Sequence, residues 1–139
     1  MTFTRSDWED LCKGLAEVDN LIAQFNATQD RHPLKNAVLA LWRFAEYSMN
    51  AGLELRGHRT DRGHDMARTA KLLLGDLLQK DYADTVEKLE RYRRKIDYLS
   101  YNRERSVHFN RQNVLDCLAD MQALHAEMQR ELTKAKKLR

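Results

Sequence analysis

Between Leu34 and Leu55 the chain carries an apolar stripe that limits what it can fold into. Leu34, Val38, Leu41, Trp42, Ala45, Met49 and Leu53 recur at spacings of three and four residues, with no glycine or proline until Gly52. That spacing puts all seven on one broad face of a helix and is incompatible with the two-residue alternation of a strand. Pro33 suits the first turn, where its missing amide hydrogen has no intrahelical partner, and Gly57 suits a left-handed cap after Leu55. A stripe this wide needs several neighbours to cover it, so the segment is expected to be the central helix. The small residues Ala45, Ser48, Ala51 and Gly52 allow one neighbour a close approach.

The rest of the chain supplies the covering elements. Trp8, Leu11, Cys12, Leu15, Val18, Ile22 and Phe25 predict a first helix, begun by a Ser6–Glu9 capping box and ending near Asn26, with residues 26–32 as the connection. Met66, Ala70, Leu73, Leu74 and Leu77 predict a third helix over 65–79. A fourth, capped by Asp84, uses Val86, Leu89, Ile96 and Leu99, and a fifth follows an Asn110 cap through Val114, Cys117, Leu118, Met121, Leu124, His125, Met128 and Leu132. One proline and five glycines in 139 residues leave little material for β-turns. The expected fold class is therefore all-α: a single antiparallel bundle of about five helices, one domain over 1–139, with 133–139 as a frayed basic tail.

Cys12 and Cys117 both fall within apolar stripes and are expected as reduced core residues. His125 lies among apolar positions and is expected to pack in the core or a groove rather than to catalyse. The loop Arg56–His64 breaks the helical spacing with two glycines and carries three arginines and two histidines. His58, His64, Asp61 and Asp65 have no metal-ligand spacing, so neither a metal nor another cofactor is expected. No apolar run reaches the length of a membrane span and no signal pattern opens the chain, which places the expected protein in the cytoplasm without a membrane partner.

Charge is concentrated rather than large. The net charge is only +3, yet residues 90–111 hold seven of the basic side chains among three tyrosines and His108. Cations interleaved with aromatics suit phosphate backbones and stacked bases. There is no nucleotide-binding glycine loop, serine-nucleophile motif or zinc pattern.

The order of these elements resembles the HEPN superfamily, small helical bundles that include RNA-cleaving toxins of toxin–antitoxin and phage-defence systems. The resemblance rests on Ala51-Gly52 to Arg59 at the end of the second helix, on Arg62-Gly63-His64 before the third, and on Tyr92-Arg93-Arg94-Lys95 leading to Tyr101-Asn102. It covers most of the chain. The superfamily's signature is an arginine followed four to six residues later by a histidine, and two registers fit it here. One places Ile96, Asp97 and Tyr101 at the marker positions and lacks the arginine, so the chain binds RNA without cutting it. The other matches Arg103 and His108 literally, with Glu104 where a neutral polar residue is usual.

In the second register the resemblance implies metal-independent RNA cleavage. His108 would move the proton of a 2′-hydroxyl and Arg103 would steady the charge developing on phosphate. Arg59, Arg62, His64, Arg93, Arg94, Lys95, Tyr101 and Arg105 are the expected RNA contacts. The resemblance also implies a homodimer and a cognate antitoxin or other protein partner. The alternative is a non-catalytic helical subunit or interaction module of an RNA-handling, CRISPR-type or toxin–antitoxin assembly.

Overall fold

A computed structural model describes residues 2–58, 65–99 and 109–138, excluding the side chains of 97–99. Among the described residues the protein is all-α, with six helices and no strand: α1 (Arg5–Ala16), α2 (Val18–Thr28), α3 (Arg31–Leu55), α4 (Met66–Leu73), α5 (Ala83–Leu99) and α6 (Arg111–Lys134). None of them is long and apolar enough to cross a membrane.

The central helix is as expected. α3 packs against all five of the others. Leu34, Ala37, Val38, Leu41, Phe44, Ala45 and Met49 are fully buried along it. At roughly 1.5–3 kcal/mol for each large apolar side chain removed from water, this stripe supplies much of the drive for folding. At Gly52 the end of α4 and the turn after it approach closely: a Cβ there would lie 2.6 Å from Leu73 Cδ1 and 3.1 Å from Leu77 Cδ2. Gly57 adopts φ +72° after the helix, and the His58 amide donates to the Leu53 carbonyl at 2.9 Å.

Several boundaries differ from expectation. The first predicted helix is two, because at Glu17 the backbone tightens to ψ −12° and its N–H is shared among carbonyls of the preceding turn. This bend lets α1 lie against both α3 and α6 while α2 follows α3. The N-cap of α1 is Thr4, not Ser6. Its hydroxyl accepts the Asp7 amide at 3.1 Å, after the Phe3 amide donates to Glu54 at 2.7 Å and the Thr4 amide to the Tyr47 hydroxyl at 3.0 Å. Tying residues 3 and 4 to α3 fixes the earlier start. The connection before α3 is only Gln29 and Asp30, with Asp30 capping.

α4 stops at Leu73, six residues short of the expected end, because Gly75 at φ +82° turns the chain and donates its amide to the Leu78 carbonyl. The segment that follows is held by side chains. Glu127, buried on α6, accepts the Gln79 amide at 2.7 Å and the Tyr82 hydroxyl at 2.5 Å. Asp81, rather than Asp84, receives the Ala83 amide at the start of α5 and also pairs with Lys71. Asp120 joins Lys80 and the Thr85 hydroxyl. Burial pushes the Asp120 carboxyl up, but its bonds to Lys80 and Thr85 outweigh that and leave it below its ordinary range.

α6 begins at the expected Asn110, where Asn110 and Asn113 form reciprocal side-chain to backbone bonds at 2.9 Å. The segment expected to fray, 133–139, opens with the last residues of α6. Lys136 turns the chain at φ 61°, the Lys137 amide donates to the Leu132 carbonyl at 2.9 Å, and Leu138 is buried.

Candidate nucleic-acid interface

The basic half of α5 is a helix because Val86, Leu89 and Tyr92 give it a buried side. Its cations fall on three different kinds of position. Arg91 is exposed. Arg94 is also exposed and donates from Nη2 to Glu90 Oε1 at 2.8 Å, one turn back. Arg93 packs inward, its guanidinium 5.2 Å from the centre of the Trp42 ring on α3. Lys95 is half-buried.

The chain returns beside this helix at Phe109, which is only 4% exposed. The Phe109 ring meets Tyr92 at 5.2 Å between centroids, tilted by 47°. Arg31, in the first turn of α3, donates from Nη2 to the Phe109 carbonyl at 2.7 Å and lies 5.5 Å from the centre of the same ring. Arg111, two residues on, is exposed. The start of α3, the middle of α5 and the start of α6 thus share one brace, made by Arg31, Phe109 and Tyr92. Burial raises the Tyr92 phenol pKa, so the ring serves this brace as a neutral group.

Of the expected RNA contacts, Arg93, Arg94 and Lys95 belong to α5. Arg59, Arg62, His64, Tyr101 and Arg105, and the candidate catalytic pair Arg103 and His108, lie outside the described residues. The residues flanking the 59–64 segment are anchored: Arg56 donates to the Asp76 carbonyl at 2.9 Å and pairs with its carboxylate, and Asp65 caps α4 through the Ala67 and Arg68 amides. Arg31 went unnoticed in the sequence. It is 78 positions from its partner Phe109, and no local pattern couples the two.

A groove of about 530 Å³ lies between α1 and α6, lined by Trp8, Cys12, His125, Gln129 and Leu138 among others. His125 stacks on Trp8, centroids 5.8 Å apart and planes within 11°, and meets Phe44 at 6.0 Å. Trp8 Nε1 donates to Gln129 Oε1 at 3.1 Å. Burial lowers the pKa of His125, so it is a neutral packing ring at neutral pH, in keeping with its expected role.

Cysteine chemistry is disfavoured in the same way. Burial, assisted by the Glu9 carboxylate, pushes the half-buried Cys12 thiol up to about 11, and burial likewise raises buried Cys117 to about 11. Both are protonated at neutral pH and poor nucleophiles. Among the described residues no group of three or more His, Cys, Asp or Glu side chains is placed to hold a metal ion. What the described face of α5 and its brace offers chemically is fixed positive charge beside packed aromatic rings. Compared with known protein families, with curated proteins and with solved structures, the chain matches none.

Proposed function

We propose that the protein is an HEPN-like RNA-binding protein that grips the phosphate backbone through the basic half of α5 and the basic segments flanking it. The observation that carries this reading is the combination of exposed Arg91 and Arg94 with the Arg31–Phe109–Tyr92 brace, which joins three helices beside the most basic stretch of the chain. Cations held on a helix contact phosphate without the cost of ordering the backbone beneath them, and the contact is independent of base sequence.

Within this reading, Arg103 and His108 give the RNA-binding face a route to metal-independent cleavage, the histidine moving the 2′-hydroxyl proton and the arginine holding the phosphate. A homodimer places two such faces in one cleft and doubles the charge presented to a strand. A cognate antitoxin or other protein partner fits the same biology. Loss of the nuclease motif in the register through Ile96 leaves instead a non-catalytic RNA-holding subunit.

The test is incubation of labelled single-stranded RNA with purified protein in the presence of a chelator, beside His108→Ala and Arg103→Ala, with binding read from the same samples at low and high salt. Cleavage by wild type that disappears in both variants establishes the ribonuclease. Intact RNA with binding that weakens steeply as salt rises establishes the non-catalytic binder. Absence of binding, or binding indifferent to salt, overturns the proposal.

A further inference from the structure

Arg31 is separated in sequence from every other cation considered for RNA contact, yet the fold brings it to the same brace. Its guanidinium carries five N–H donors, and the Phe109 carbonyl takes one of them at 2.7 Å. The side chain is exposed, and among the described residues it forms no ion pair. The nearest acidic residue in sequence, Asp30, is occupied in capping the His32 amide at 3.0 Å. With one donor tied to a carbonyl and its Cζ 5.5 Å from the centre of the Phe109 ring, the guanidinium is held in place before any ligand arrives. Such an arginine keeps spare donors in a planar fork that matches phosphate, and it loses less entropy on contact than a free side chain does.

We propose that Arg31 is a phosphate-contacting residue of the RNA interface, pre-oriented by Phe109 and continuous through Tyr92 with the cations of α5. The proposal rests on the RNA-binding reading above. It extends the interface from α5 across the start of α6 to the first turn of α3, adding exposed Arg31 and exposed Arg111 to exposed Arg91.

The salt dependence of binding separates phosphate contact from mere support of Phe109. Affinity for a labelled 2′-O-methyl oligouridine, which lacks the 2′-hydroxyl needed for cleavage, is measured across a salt series for wild type, Arg31→Gln and Arg31→Lys, together with thermal melting of each. Loss of one phosphate contact makes the slope of log affinity against log salt shallower by about 0.7, so that affinity falls about threefold less across a fourfold rise in salt. That change is expected for Arg31→Gln, while Arg31→Lys keeps the slope but binds several-fold more weakly because the fork and its ring contact are gone. An unchanged slope in Arg31→Gln, whatever its melting temperature, overturns the proposal and leaves the RNA-binding reading standing. If Arg31→Gln does not fold, Arg31→Lys decides: weaker binding with a wild-type melting temperature supports the contact, and wild-type affinity overturns it. Wild-type protein that does not bind the oligonucleotide brings down the RNA-binding reading itself, and this proposal with it.

Discussion

Arg93 and Trp42 make the contact that sets one cation of α5 apart from its neighbours: the guanidinium lies 5.2 Å from the centre of the indole ring, and Trp42 is only 5% exposed. Arg94, the next residue along, has a side chain 70% exposed and pairs with Glu90 at 2.8 Å on the helix surface. Two adjacent arginines of the same basic run therefore do different things, one joining α5 to α3 and the other facing water.

The two are expected to separate in stability measurements. A partly buried cation over an aromatic face contributes about 1 kcal/mol, and its aliphatic stem adds packing area, so Arg93→Ala lowers unfolding stability by about 1–2 kcal/mol. An exposed i,i+4 ion pair contributes about 0.3–0.5 kcal/mol, so Arg94→Ala changes stability by less than about 0.5 kcal/mol. Urea denaturation of the two variants checks this. Equal effects would mean that the Trp42 contact does not hold Arg93 in solution.

Two glycines are expected to respond in opposite directions to the same substitution. At Gly14 in α1 nothing lies within 4 Å of an added Cβ, so alanine adds helix propensity without a clash, and Gly14→Ala stabilises by about 0.5–1 kcal/mol. At Gly52 the added Cβ meets Leu73 and Leu77, which are 0% and 7% exposed, and both must shift within a packed core. Overpacking of this kind costs about 1–3 kcal/mol, more than the propensity gained, so Gly52→Ala is destabilising. The comparison is made by denaturant unfolding of both variants, and a stabilising Gly52→Ala would show that α3 and α4 are less closely packed than the structure has them.

These particulars show what could be read from the chain and what could not. The C-terminal end of α3 and the start of α6 were legible because Gly57 and Asn110 are strong local signals at the limits of long apolar stripes. The break at Glu17 was not, since Leu15, Val18, Ile22 and Phe25 keep helical spacing through it and no glycine or proline marks the bend. Leu77 misled in a related way: its spacing from Leu73 and Leu74 extends a helical pattern past Gly75, although the chain turns there and returns Leu77 to the core by another route. At the candidate interface, clustering of cations on α5 was visible, but which of them packs and which faces water was not. That distinction comes from Trp42 on α3, and the place of Arg31 comes from Phe109 at the start of α6. Such long-range contacts leave no trace in a local period.

The stack of His125 on Trp8 gives the α1–α6 contact a defined pH response. Burial lowers the folded-state pKa of His125 below its ordinary value of 6.5, so the neutral ring is the form that fits between Trp8 and Phe44. Charged neighbours of both signs, Arg5, Glu9 and Lys13, line the same groove. In the unfolded chain the imidazole takes up a proton near its ordinary pKa, whereas the folded chain resists doing so until the pH is lower. The unfolded state therefore binds more protons in this window, and by linkage stability rises with pH there. The contribution is fully present above about pH 6.5 and is lost as the pH falls through the folded-state value. Wild-type protein is thus expected to lose unfolding stability between about pH 7 and pH 5, while His125→Gln, which cannot titrate, is expected to show a shallower dependence over the same interval. Urea unfolding at half-unit pH steps measures it, with Trp42→Phe as the background so that fluorescence reports Trp8 alone. Parallel pH profiles for the two proteins would show that burial does not disfavour the charged imidazole, and that His125 sits in a wetter groove than its stacking on Trp8 implies.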